Sequence, residues 1–96
     1  MTAKIIFDFK FNPEITSEGK ETLSQILVDT RKFDGCLGID VIQDVKDEQH
    51  FVLLESWETK EHYGRYSAWR AGEGKTNLGS FFAAPPSITI YEVTEI

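Results

Sequence analysis

The sequence predicts an α+β fold in which two helices cover one face of a four-stranded antiparallel sheet. Three observations predict it. Three segments alternate apolar and polar residues with a period of two, and a fourth short segment is apolar on both faces. Two others repeat apolar residues every three or four positions. Their order along the chain is β-α-β-β-α-β. Two right-handed β-α-β crossovers on one sheet give a ferredoxin-like sandwich. At 96 residues the chain has room for one ordinary core, so residues 1–96 are read as a single domain.

The first strand spans residues 4–11, where Ile5, Phe7, Phe9 and Phe11 alternate with Lys4, Ile6, Asp8 and Lys10. Asn12-Pro13 ends it, because proline has no N–H for the ladder. Thr16 or Ser17 then caps a helix with its side-chain oxygen. Leu23, Ile26, Leu27, Thr30 and Phe33 form its apolar stripe, opposite Glu18, Lys20, Glu21, Asp29 and Arg31. Asp34-Gly35 stops the helix, since glycine tolerates the left-handed conformation.

The second strand, residues 37–44, carries Leu37, Ile39 and Val41 on one side and Asp40, Ile42 and Asp44 on the other. A charged turn, 45–49, leads to a third strand, 50–57. That strand is apolar on both faces, with Phe51, Leu53 and Trp57 on one and Val52 and Leu54 on the other, as expected in the middle of a sheet. Thr59 caps a second helix, 60–71, which Gly72 and Gly74 stop. Residues 78–84 suit a short extra helical turn. Pro85-Pro86 forces an extended approach to the last strand, 87–94, with Ile88 and Ile90 on one side and Thr89, Tyr91 and Val93 on the other.

Sixteen Asp and Glu against ten Lys and Arg give a net charge of −6. No nucleic acid and no anionic membrane surface is expected as a partner, because both demand clustered cations. Cys36 is the only cysteine, so no internal disulfide exists. No apolar run approaches the roughly twenty residues of a membrane span, and the first residues lack the apolar core of a signal peptide. A soluble, cytoplasmic protein is the expectation. The sheet face without helices would expose Ile6 and Ile42 among Asp8 and Lys10. A homodimer would cover it, burying roughly 1,600 Å² at a standard interface. The alternative is a monomer with a mixed exposed face.

The second helix concentrates large rings. Tyr63, Tyr66 and Trp69, with Trp57 just before them, can wall a slot for an aromatic ligand. The same rings are equally intelligible as core, most readily Trp57 and Tyr63. Arg65 and Arg70 are cations able to stabilise a bound anion, although surface pairing with Glu61 or Glu73 also accounts for them. His50 and His62, the only histidines, are the side chains suited to a general base near neutral pH, yet both positions also suit idle surface residues. Their spacing relative to Cys36 offers no zinc site, so no metal is expected. Cys36 is read as an inert thiol. Asp8 and Glu55 are placed on the uncovered sheet surface. Gly72 and Gly74 follow no strand and open no helix, so they are not a phosphate cradle.

The stretch Gly35-Cys36-Leu37-Gly38-Ile39-Asp40, followed by Phe51-Val52-Leu53-Leu54-Glu55-Ser56-Trp57-Glu58-Thr59, resembles the antibiotic biosynthesis monooxygenase family of the dimeric α/β-barrel superfamily. Pro85-Pro86 and the ending Ile88-Thr89-Ile90-Tyr91-Glu92-Val93 resemble a subgroup of it. The resemblance implies a homodimer whose two sheets close into a barrel, with a pocket in each protomer between the sheet and the second helix. It implies oxygen insertion into a quinol or polyketide-type hydroxylated aromatic, with no cofactor. Tyr66 matches a pocket-facing position of the family. With Trp69 and Arg70 it would position and stabilise the substrate anion, leaving His50, His62 or solvent as base. The family's haem-degrading branch requires a histidine late in the second helix and an asparagine on the first strand. This chain has no histidine after His62 and no asparagine between Ala3 and Phe11, which argues against haem chemistry. The rival to an enzyme is a non-catalytic ligand-binding or assembly module on the same scaffold.

Overall fold

The structure, a computed structural model, describes residues 1–96. Its elements are β1 (Ala3–Lys10), α1 (Thr16–Lys32), β2 (Cys36–Gln43), β3 (His50–Trp57), α2 (Lys60–Ala71) and β4 (Ser87–Glu92), with 3-10 turns at Pro13–Ile15 and Leu78–Phe81. The sheet order is β2-β3-β1-β4, and every pairing is antiparallel. This is the ferredoxin-like arrangement that the alternation and helical spacing imply. No helix is long and apolar enough to cross a membrane.

Local chemistry moves several boundaries. Phe11 leaves the β1 ladder and makes an isolated bridge to Phe82. Neither Thr16 nor Ser17 caps α1. Instead, the Asn12 side chain accepts the Glu14 N–H at 3.1 Å and opens the 3-10 turn that runs into the helix. Pro13 suits that first position because its φ is already helical. The Thr16 hydroxyl donates back to Asn12 O at 3.1 Å. Thr59 does cap α2, accepting the His62 N–H at 3.2 Å. Gly35, at φ +90°, makes the turn into β2, and a Cβ there would sit 2.4 Å from the His62 ring. β2 then bulges between Cys36 and Gly38.

The helix-covered face holds two apolar clusters. The larger joins Phe9, Phe11, Phe51 and Leu53 of the sheet side to Leu23 and Leu27 of α1 and to Leu78. Its rings meet edge-on or stacked, Phe9 and Phe82 at 4.8 Å between centroids. Such pairs add about 0.5–1.5 kcal/mol each beyond area burial. The smaller cluster is Ala3, Ile5, Trp57 and Tyr63, flanked by Phe33 and Tyr66. At the sheet edge no β4 residue is buried, so Ile88 and Ile90 stay about half exposed although they share the covered face.

Gly19 marks the tightest approach of α1 to this core. A Cβ there would lie 2.6 Å from the Phe11 ring, itself 1% exposed, and 3.2 Å from Phe81 Cβ. Gly19→Ala gains about 1 kcal/mol of helix propensity, but overpacking a rigid ring costs about 1–3 kcal/mol. The ring cannot swing away, which puts the cost at the upper end of that range, so we expect a net loss of about 2 kcal/mol, a melting temperature lower by roughly 8–16 °C in thermal denaturation.

Candidate functional site

A cavity of about 300 Å³ lies where the two apolar clusters meet. Phe7, Leu53, Glu55 and Ile88 of the sheet form its floor. Leu23, Ile26 and Leu27 of α1 form one wall, and Tyr63, Tyr66, Ser67 and Arg70 of α2 form the other. Leu78 and Phe82 close one end. The volume is at the lower end for small-molecule pockets, and the lining is mainly apolar with a few polar groups, as such sites are. A more open groove of about 560 Å³ lies between the start of α1 and the β2–β3 turn, but its only apolar residue is Val45, so it cannot enclose a ring.

Helix geometry decides which α2 residues see the cavity. At about 100° per residue, Arg70 stands nearly above Tyr63, whereas Trp69 is about 120° away. Trp69 therefore turns out of the cavity, toward Phe33 at 5.4 Å and against Gly74. Trp57 is fully buried beneath Tyr63 and Tyr66, at 5.7 and 5.0 Å between centroids, and does not line the cavity either. Of the four rings expected to wall the slot, Tyr63 and Tyr66 do so.

Tyr66 and Arg70 belong to one hydrogen-bonded network. Arg70 Nε donates to Tyr66 Oη at 2.8 Å. Its terminal nitrogens donate to Gly74 O at 3.1 Å, Ile26 O at 3.1 Å and Thr30 Oγ1 at 3.0 Å. Tyr66 Oη lies 2.8 Å from Thr30 Oγ1, which is 3.2 Å from Ile26 O. The proton count closes when Tyr66 donates to Thr30 and Thr30 donates to Ile26. The guanidinium also lies over the Trp69 ring, 4.5 Å from its centroid. No carboxylate pairs with it.

The two histidines lie elsewhere. His50 is held on the uncovered face between Asp44, 2.9 Å from Nδ1, and Asp8, 2.8 Å from Nε2. Those hydrogen bonds, Asp44's first, raise its pKa. His62 rests against Gly35, with Nδ1 2.7 Å from the Thr59 hydroxyl and Nε2 3.4 Å from Glu58. Neither lines the cavity. Arg65 is exposed on the outer side of α2. Cys36 is half-buried, and burial pushes its thiol pKa up.

Glu55 does not lie on the uncovered surface, where the sequence reading places it. It is 4% exposed on the helix-covered face, between Leu53 and Trp57 along β3. Strict alternation required this placement, so the signal was present in the sequence. Its Oε1 accepts the Trp57 Nε1–H at 2.9 Å. Burial raises its pKa, and the indole hydrogen bond only partly opposes that. Tyr63 is pushed up to about 12, by burial first and then by Glu55 and Tyr66, so it stays a phenol. Asp8, in contrast, does lie on the uncovered face, beside His50.

The site thus belongs to a class of small α+β proteins that hold an apolar pocket between one sheet and two helices. The antibiotic biosynthesis monooxygenase family model matches residues 2–73, and the chain belongs to that family. No curated protein matches the chain. Among solved structures, a conserved protein from Methanosarcina mazei Go1 superposes with a TM-score of 0.86 at 18% identity, covering 98% of this chain and 94% of that one. Rv0793 from Mycobacterium tuberculosis superposes at 0.76 and 22% identity, covering 100% and 98%. SnoaB, a cofactor-independent oxygenase from Streptomyces nogalater, superposes at 0.83 with 9% identity, covering 99% and 95%. At these identities the likeness is one of fold.

Glu55 makes stability depend on pH in a defined direction. A carboxyl whose folded pKa is raised binds its proton more tightly when folded, so stability falls as pH rises from about 4.5 through the folded value. Glu55→Gln removes that dependence and keeps an acceptor for Trp57. We expect the melting temperature of Glu55→Gln minus that of the wild type to grow between pH 4.5 and 8. Scanning calorimetry across that range checks it, and a constant difference would show that Glu55 is not desolvated.

Proposed function

We propose that the protein is a cofactor-independent monooxygenase acting on a hydroxylated aromatic of quinol or polyketide type, as a homodimer. The cavity carries this reading: a ring-walled apolar volume with an uncharged phenol, a carboxyl and an unneutralised guanidinium on its walls. Family membership supports the reaction type, and the fold shared with SnoaB agrees with it.

In this reading the substrate ring lies between the sheet floor and α2. Its hydroxyl loses a proton, and the phenolate is stabilised by the Arg70 guanidinium. That group is already locked in place and needs little reorganisation as charge develops. The phenolate passes one electron to O2, giving a phenoxyl radical and superoxide. These combine at a ring carbon bearing hydrogen, forming a C–O bond. Loss of water, taking that hydrogen, leaves a carbonyl: one phenol and one O2 give one quinone and one H2O. Tyr66 and Arg70 hold this wall, with Trp69 stacked behind the guanidinium. A non-catalytic ligand-binding module is the second reading. It is favoured by the fact that Tyr66 and Arg70 already direct their hydrogen bonds to protein partners.

Oxygen uptake by purified protein with menadiol, 1-naphthol and related hydroxylated aromatics separates the two. We expect a rate above the uncatalysed background for at least one, with one atom of labelled oxygen in the product. Background rates across the panel would leave the binding module.

The dimer reading rests on the uncovered face, where Ile42, Leu54 and Tyr91 are all exposed. Sedimentation equilibrium at micromolar concentration is expected to give twice the chain mass of 10.9 kDa, and Ile42→Asp, on an edge strand, to shift it toward the monomer. A monomeric wild type would remove the dimer.

A further inference from the structure

The polar groups of the cavity wall divide into two kinds. Tyr66, Thr30 and Arg70 direct their hydrogen bonds to one another and to backbone carbonyls. Glu55 and Tyr63 do not. Glu55 Oε1 accepts from Trp57, but Oε2 makes no hydrogen bond within the protein. No sealed side-chain oxygen or nitrogen lacks a partner, so Oε2 borders open space, and the open space beside Glu55 is the cavity. The Tyr63 hydroxyl has no protein partner either and is not sealed, and Tyr63 lines the same cavity.

Stability does not explain this carboxyl. It lies at the seam of two apolar clusters, where a leucine-like side chain would complete the packing. Burying a carboxylate with one free oxygen is unfavourable unless something arrives to pair with it. Positions where a fold breaks its own packing rule in this way tend to be functional.

We propose that Glu55 Oε2 is the acceptor for a hydroxyl group of the ligand and, resting on the oxygenase reading above, the base that takes its proton. The ligand O–H breaks, an O–H forms on Oε2, and the phenolate remains in the cavity that Arg70 borders. Trp57 holds the carboxyl from the far side, fixing Oε1 so that Oε2 faces the ligand. The Tyr63 phenol is free to donate to a ligand oxygen. This places the proton-accepting role in the cavity, where neither histidine reaches.

The groups facing Glu55 are few. Tyr63, Tyr66 and Arg70 approach from α2 and Cys36 from β2. On α1 Thr30 belongs to the Arg70 network, and Arg31 donates to the carbonyl of Ile39, the residue opposite Glu55 on β2. Ile5, opposite Glu55 on β1, is apolar, as are Phe7 and Ile88 on the cavity floor. Burial holds the Glu55 pKa up. The carboxylate is the better acceptor, so ligand affinity should fall as pH drops through that raised value.

The test uses calorimetric titration of the anaerobic protein with 1-naphthol and with 1-methoxynaphthalene, which has no proton to give. In Glu55→Gln we expect 1-naphthol to bind about tenfold more weakly or worse, the low end for a hydrogen bond to a charged group. The methoxy compound should bind both proteins alike, and the pH dependence of naphthol affinity should vanish. Glu55→Asp, which keeps the carboxyl, should bind naphthol more tightly than Glu55→Gln. Equal naphthol affinity in wild type and Glu55→Gln overturns the proposal. So does an equal loss for both ligands, which would mean a reshaped cavity, and so does a wild type that binds no naphthol. A wild type that binds naphthol through Glu55 yet consumes no O2 removes the oxygenase reading and leaves the hydroxyl receptor standing. Oxygen uptake at the wild-type rate and pH profile in Glu55→Gln does the reverse.

Discussion

The Arg70 guanidinium is the tie on which the site's geometry depends. α1 and α2 both lie on the same sheet face but barely meet through their backbones. Arg70 crosses the gap from the last turn of α2 to Ile26 O and Thr30 Oγ1 on α1. A charged donor in a planar fork suits this, since its hydrogen bonds are both stronger and more directional than neutral ones. The chain after α2 serves the same tie. Gly72 and Gly74 both donate to Trp69 O, and the backbone folds so closely against the Trp69 indole that a Cβ on Gly74 would lie 2.5 Å from it. That path brings Gly74 O to Arg70. The helices are thereby tied through Arg70, and the space between them and the sheet is the cavity.

The charge distribution separates the two faces of the sheet. On the helix-covered face there are few charges, and those present are buried or locked. On the other face His50 joins Asp8 and Asp44, and Lys10 pairs with Asp47 at 2.9 Å. These pairs act in different pH ranges. His50, its pKa raised, contributes stability below about 6.5 that is lost as pH rises through the folded value. Asp44 and Asp47, their pKa values lowered by His50 and Lys10 respectively, contribute above about 3.8 and lose it as pH falls. All are solvent-accessible and screened, so their role is to fix the hairpin between β2 and β3 rather than to hold the fold.

The elements were legible because their periods are strong. β3 and α2 have the bounds that the alternation, Thr59 and Gly72 imply. The α1 cap was not legible, because an Asn-Pro turn upstream competes with Thr16 for the same role. In the site, Tyr66 and Arg70 stood out by residue type, but their pairing with Thr30 is a tertiary contact across 36 and 40 residues, which no local pattern encodes. Proximity in sequence groups Trp69 and Trp57 with the tyrosines, whereas helical rotation and strand burial send them elsewhere. Glu55 departs from its expected face for another reason. A carboxylate among apolar residues reads as solvent-facing by composition, even where strand alternation turns it inward.

Composition and alternation disagree at Glu55, and the structure follows alternation. Backbone geometry leaves no choice here. β3 pairs on both sides, with Ile39 and Ile5 opposite Glu55, so rotating its side chain outward would slip the register and turn Leu53 and Trp57 to solvent. The carboxyl is therefore held inward by the burial of its neighbours, whatever its own preference. The fold shared with SnoaB persists at 9% identity, so the scaffold alone cannot specify chemistry. In this chain a guanidinium and a carboxyl border one apolar volume, the first locked by hydrogen bonds to the protein and the second left with an open oxygen. An environment of low polarity strengthens what such an oxygen can do for a hydroxyl placed against it. The same burial that makes Glu55 unfavourable for the empty fold makes it an effective acceptor for a ligand.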